Sequence, residues 1–77
     1  MTKKLNIAVI FGGRSGEHDV SLMSARSVLS VLSPEKYEVT QVGITRSGTW
    51  LTSKNVIEAF ESEAFEHLTP VVLVPEP

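Results

Sequence analysis

An apolar run, Leu5-Asn6-Ile7-Ala8-Val9-Ile10-Phe11, stops at the pair Gly12-Gly13. The polar stretch Arg14-Ser15-Gly16-Glu17-His18-Asp19 follows, and then apolar residues recur at helical spacing. A change from a near-continuous apolar run to a helical period across a glycine pair reads as strand, tight loop, helix N-terminus. A short buried helix could carry the same run, but its β-branched content and the glycines favour a strand. With so little alternation, it suits a strand buried on both faces of a parallel sheet. In open α/β sheets ligands bind at the carboxyl ends of strands. Glu17, a carboxylate in such a loop, is therefore a candidate site residue by placement alone.

The helix runs from Asp19 or Val20 to Leu32. Leu22, Ala25, Leu29 and Leu32 share one face, with Val28 beside them, the spacing of an amphipathic helix. Asp19 is the expected N-cap. Ser33-Pro34 ends the helix, because the residue before proline disfavours helical geometry. Residues 37–45 read as a second strand. Their alternation shifts near Gly43, so either both faces are partly buried or a bulge sits there. Arg46-Ser47-Gly48 is a turn signal before Thr49-Trp50-Leu51, which predicts a short hairpin. Ser53 or Asn55 is expected to cap a second helix reaching about Leu68, with Glu58, Glu61, Glu63 and Glu66 as its solvated face. Pro70 stops that helix, and Val71-Val72-Leu73-Val74 reads as a last strand.

The order strand–helix–strand is a crossover unit with a parallel pair and a right-handed connection. It begins a doubly wound sheet without completing one. At 77 residues, the chain is expected to be the opening segment of a larger protein, since cores below about 80 residues usually need outside support. There is no cysteine, hence no disulfide framework and no thiolate metal site. The net charge is −2 and the seven basic residues are scattered, so no nucleic-acid partner is expected. The first apolar run is too short for a signal peptide or a membrane span. Lys3 and Lys4 are a solvated terminus, and a cytoplasmic protein without a membrane partner is expected.

The glycine loop fails three tests. The dinucleotide fingerprint needs a second glycine two positions after the first, where Gly12 and Gly13 have Arg14 and Ser15. No Gly-Lys pair exists for a Walker A loop. Gly13-Arg14-Ser15 begins a nucleophile elbow, but Glu17 stands where its last glycine belongs. What remains is a sharp loop that delivers Glu17 near a helix N-terminus. The helix dipole there favours an ionised carboxylate. From the pattern alone, Glu17 either caps the helix or binds an ammonium group or accepts a proton. His18 lies between two acids, but consecutive ligands cannot readily face one ion, and no metal site is expected. His67 reads as a structural or surface residue.

Phe11-Gly12-Gly13-Arg14-Ser15-Gly16-Glu17-His18-Asp19-Val20-Ser21-Leu22, with Ser24-Ala25, resembles the N-terminal signature of D-alanine–D-alanine ligases. The stretch from Val42 to Trp50 resembles the second strand and hairpin of the same family. The resemblance covers most of residues 5–52, and residues 53–77 match only in general character. It implies an incomplete Rossmann-like (pre-ATP-grasp) parallel sheet with flanking helices and a short hairpin. Residues 1–77 would be most of the N-terminal, substrate-binding domain of a three-domain ATP-grasp enzyme, with the central and C-terminal domains absent. ATP and Mg2+ would bind between those later domains, and none of their ligands lies in this segment. The implied reaction joins two D-alanines through an acylphosphate to make a peptidoglycan precursor in the bacterial cytoplasm.

By resemblance, Glu17 is the catalytic and substrate-binding glutamate. It contacts the ammonium of the first D-alanine and belongs to a network with a serine and a tyrosine beyond residue 77. Val20 would line the methyl pocket of that D-alanine. Ser21 would help order the loop, although a plain helix first-turn hydroxyl explains it too. A homodimer through the first domain is also implied. The segment by itself is expected not to ligate anything. Alternatives are a D-alanine–D-lactate or D-alanine–D-serine ligase, whose acceptor preference is set largely in later domains, or a stand-alone Rossmann-like small-molecule-binding module.

Overall fold

The computed structural model describes residues 3–13 and 18–72. Along the chain it places β1 (Leu5–Gly12), α1 (His18–Val31), β2 (Tyr37–Ile44), β3 (Trp50–Ser53), α2 (Val56–Ser62) and β4 (Thr69–Pro70). The result is an α/β fold with one four-stranded sheet in the order β1-β2-β3-β4. β1 and β2 are parallel, while β3 and β4 join antiparallel. The sheet is thus mixed: the expected parallel pair is extended by the expected hairpin. Thr45 and Thr49 close that hairpin, the Thr45 N–H donating to the Thr49 carbonyl at 2.8 Å, and Gly48 turns it at φ +95°.

One core joins the elements: Phe11 from β1, Leu22 and Ala25 from α1, Leu51 from β3, and Val56, Ile57 and Phe60 from α2. Both helices therefore pack on the sheet face that carries Phe11 and Leu51. This corrects the expectation that β1 is buried on both faces. Asn6, Ala8 and Ile10 point to the other side and are exposed, Ile10 by 50%. A continuous apolar run records what a strand can bury; among the described residues nothing covers this second face.

Gly43 explains the broken alternation of β2. The pairing with β1 runs without interruption from Tyr37 to Ile44, so there is no bulge. A Cβ at Gly43 would overlap the Phe60 ring. The missing side chain is what lets the α2 aromatic ring settle directly on the sheet.

The second helix is shorter than its apolar pattern suggests. It ends at Ser62, where Glu63 takes the left-handed conformation at φ 55°. There the Ala64 N–H donates to the Ala59 carbonyl at 2.9 Å, a glycine-free version of the left-handed helix stop. The Ser62 hydroxyl also donates to the Glu58 carbonyl at 3.0 Å, a local bond that competes with helix continuation. Phe65 and Leu68 still pack against the core, but from an irregular return segment. The last strand then comes early, at Thr69–Pro70. Pro70 sits on an edge strand, where a missing N–H is tolerated. Val71 adds one bond, its N–H donating to the Trp50 carbonyl at 3.0 Å, and 73–77 lie outside the described residues.

Asn55 does occupy the N-cap position of α2, but its side chain makes no capping bond. The cap comes from the sheet: the Ile57 N–H donates to Gln41 Oε1 at 2.9 Å. That bond satisfies one of the orphan donors of the first turn. The four glutamates expected on the solvated face are all exposed. One of them ties the two helices together. Arg26 donates from Nε to Glu61 Oε2 at 2.7 Å and from Nη2 to Oε1, a two-pronged pair. These hydrogen bonds from Arg26 hold the Glu61 carboxyl below its ordinary value near 4.5. A depressed carboxyl pKa stabilises the fold above the unfolded value, and the benefit is lost as pH falls through the folded value. Stability curves of wild type and Glu61→Gln are therefore expected to differ slightly at neutral pH and to converge in acid. The gap is small because the pair is solvent-exposed.

Candidate functional site

The carboxyl ends of β1 and β2 meet the start of α1 around the glycine loop. Gly12 has φ +91° and Gly13 φ +111°, conformations that side chains rarely accept. Gly12 also lies against β2 so closely that a Cβ would overlap the Ile44 carbonyl oxygen. Three hydrogen bonds hold this corner. The Gly12 N–H donates to Ser21 Oγ at 2.9 Å. The Gly13 N–H donates to the Ile44 carbonyl at 2.8 Å. His18 Nδ1 donates to the Gly13 carbonyl at 2.7 Å. A carbonyl oxygen only accepts, so Nδ1 carries the hydrogen.

Beside the loop lies a hollow of about 550 Å³. His18, Asp19 and Leu22 of α1 line one side, the turn residues Thr45 and Arg46 another, and Phe60 and Phe65 its apolar wall. Asp19 and Arg46 pair across it at 2.9 Å. This revises the expected role of Asp19. It stands inside the first turn of α1 rather than at the cap, where its charge still complements the helix dipole. Its carboxylate is engaged by a hairpin arginine. The cap position precedes His18 and falls outside the described residues.

The predicted site residues are distributed as follows. Glu17 lies outside the described residues. Ser21 is part of the corner, accepting from Gly12. Val20, in the first turn of α1, is 53% exposed. The residue that sequence reasoning passed over is His18. It is the one buried polar side chain among the described residues, at 5% exposure. Its ring lies nearly parallel to Phe60, with planes 13° apart and centroids 6.1 Å apart. A signal was available: His18, Leu22, Ala25 and Leu29 follow the i, i+4, i+7, i+11 spacing of one buried face. The other histidine, His67, is exposed, as expected.

Chemically, the corner is built to hold backbone. Among the described residues no three His, Asp or Glu side chains stand together as a metal site. No helix among the described residues is long and apolar enough to cross a membrane.

A sequence model described as "D-ala D-ala ligase N-terminus" matches residues 6–72. The chain belongs to this ligase N-terminal family. D-alanine–D-alanine ligase A of Brucella suis is 53% identical over 58 residues, 75% of this chain and 16% of the relative. The D-alanine–D-alanine ligase of Thermoanaerobacter sp. X514 is 47% identical over 64 residues, 83% of this chain and 18% of the relative. The chain thus spans only 16–18% of the length of these two relatives. Among solved structures, the VanG D-Ala:D-Ser ligase from Enterococcus faecalis superposes with a TM-score of 0.82 at 38% identity. That match covers 94% of this chain and 22% of the other. The D-alanine–D-alanine ligase from Coxiella burnetii gives 0.76 at 28% identity, over 95% of this chain and 22% of that one. In this ligase N-terminal segment, the matched region takes in the glycine corner, α1 and the hairpin.

Proposed function

We propose that this chain is the N-terminal, substrate-binding part of an ATP-dependent ligase that joins two D-alanines for peptidoglycan precursor synthesis in the bacterial cytoplasm. In this reading ATP phosphorylates the carboxylate of the first D-alanine. The amino group of the second attacks the acylphosphate, the C–O bond to phosphate breaks, and the dipeptide leaves with ADP and phosphate. The nucleotide and Mg2+ are held by the rest of the ligase. The contribution of this segment is recognition. Glu17 faces the ammonium of the first D-alanine, Val20 lines the pocket for its methyl group, and Ser21 holds the loop.

The observation that carries this reading is the glycine corner, where Gly12, Gly13 and Ile44 of the sheet bond with each other and with His18 and Ser21 of α1 within a family-matched segment. A carboxylate suits an ammonium partner, because charge-assisted hydrogen bonds are strong and geometrically demanding. A second acceptor is favoured by one finding. The Enterococcus faecalis relative at 38% identity is named a D-Ala:D-Ser ligase.

The test is a competition assay on the complete protein carrying this segment, with ATP, D-alanine and equal D-alanine, D-serine or D-lactate as acceptor. D-alanyl-D-alanine is expected as the main product by mass. A dominant D-alanyl-D-serine or D-alanyl-D-lactate product transfers the assignment to that ligase. Absence of any ligated product refutes the ligase and leaves the binding module.

A further inference from the structure

We propose that the hollow between α1, the β2–β3 hairpin and α2 binds a small, neutral, planar molecule with one hydrogen-bond donor, of the phenol or indole kind, which bonds to Nε2 of His18. The inference uses neither Glu17 nor the ligase reading and goes beyond both. His18 is only 5% exposed, yet it borders the hollow. Its Nδ1–H is committed to the Gly13 carbonyl at 2.7 Å. In the neutral ring the other nitrogen, Nε2, is then an acceptor. None of the described residues donates to it. Among those residues no side-chain nitrogen or oxygen is both cut off from solvent and unbonded. Nε2 therefore keeps contact with solvent, and the hollow is the opening that His18 borders.

The surroundings of this nitrogen select the ligand. Leu22 and Phe60 are buried beside it, and the half-buried Phe65 stands edge-on to Phe60 at 5.0 Å between centroids. A flat ring entering there finds aromatic partners for offset or edge-on packing. An acceptor in apolar surroundings gains more from a donor than one in open water. A donor carried on an apolar ring therefore suits both the nitrogen and the wall. The volume, about 550 Å³, lies in the range of small-molecule sites. The charges stay exposed: Asp19 pairs with Arg46, and Glu61 with Arg26. Glu63 adds an exposed negative charge to the lining, which disfavours an anion. Two other hollows, beside Trp50 and beside Tyr37, border no buried polar side chain among the described residues.

The test is an NMR titration of the nitrogen-15-labelled 77-residue chain with phenol, and with anisole, which has the same ring without the donor. Phenol is expected to shift the amides of Leu22, Phe60 and Phe65 saturably, with a Kd of about 1–10 mM, reasonable for so small a ligand. It should also move the His18 Nε2 resonance upfield as that nitrogen accepts a hydrogen bond. Anisole should bind about tenfold more weakly, the worth of one hydrogen bond, and leave that resonance in place. His18→Phe keeps a ring against Phe60 and removes the acceptor, so phenol and anisole should bind it alike. The proposal is overturned by phenol that fails to saturate or binds no tighter than anisole, or by an Nε2 resonance unmoved at saturation. Shifts confined to the surfaces around Trp50 and Tyr37, or a phenol preference that survives in His18→Phe, overturn it equally. The wild-type comparison and the Nε2 resonance need no variant, so the test holds even if His18→Phe does not fold. Every outcome leaves the Glu17 reading to its own assay of turnover.

Discussion

Gly12→Ala is expected to destabilise the chain by about 2–5 kcal/mol. Two independent costs add at this position. The backbone sits at φ +91°, where an L-residue is strained, and the new methyl would overlap the Ile44 carbonyl oxygen. That oxygen cannot swing away like a side-chain end. It belongs to β2 and accepts the Gly13 N–H at 2.8 Å. Relief therefore requires β1 and β2 to part at their carboxyl ends, which also strains the Gly13 bond to Ile44. Against a total stability of about 4–12 kcal/mol for a domain of this length, such a loss is severe. Urea unfolding should show a large drop in midpoint. Gly13→Ala is the matched control: it has positive φ as well, but no atom lies within 4 Å of its Cβ, so it should cost less. Equal losses at both glycines would mean that the close approach to Ile44 contributes nothing.

Phe60→Ala is the second large effect, about 3–5 kcal/mol by the usual cost of removing a buried aromatic ring. Phe60 is 2% exposed and meets three other rings. Phe11 stands edge-on at 5.6 Å between centroids, Phe65 edge-on at 5.0 Å, and His18 nearly parallel at 6.1 Å. Edge-to-face pairs contribute beyond their buried area. The ring also rests on Gly43, so its removal opens a void between α2 and the sheet that no neighbour can fill without moving backbone. Phe60→Leu retains most of the volume and should cost clearly less. Thermal unfolding of the two variants measures this difference. A Phe60→Ala protein as stable as Phe60→Leu would contradict the central place of this ring.

Much of this fold was legible because its signals are local. The apolar run before Gly12-Gly13, the helical period from Leu22 to Leu29 and the Arg46-Ser47-Gly48 turn each specify one element, and each element is present. Errors arose where a residue answers to a distant partner. Gly43 looked like a disturbance in a strand because its reason is Phe60, seventeen positions later. Asn55 looked like a capping side chain, yet Gln41 of β2 supplies the bond. The period from Val56 to Leu68 recorded which residues reach the core, but not that Glu63 would stop the helix and leave Phe65 and Leu68 to pack from a return segment. His18 was underrated for a related reason. Its charge neighbours, Glu17 and Asp19, invited comparison with metal ligands, whereas its spacing to Leu22 and Ala25 already placed it on the buried face. The family resemblance points to Glu17, while the corner that joins β1, β2 and α1 emerges only from bonds among Gly12, Gly13, His18, Ser21 and Ile44.

The central claim is that this segment offers Glu17 to the ammonium of the first D-alanine. Its most direct test is steady-state turnover of a complete ligase carrying the chain, with D-alanine varied at saturating ATP, for wild type and Glu17→Gln. Loss of a hydrogen bond to a charged group predicts a rise of roughly 10- to 100-fold in the first-site KM, with the KM for ATP unmoved. A first-site KM that stays at the wild-type value would contradict the account.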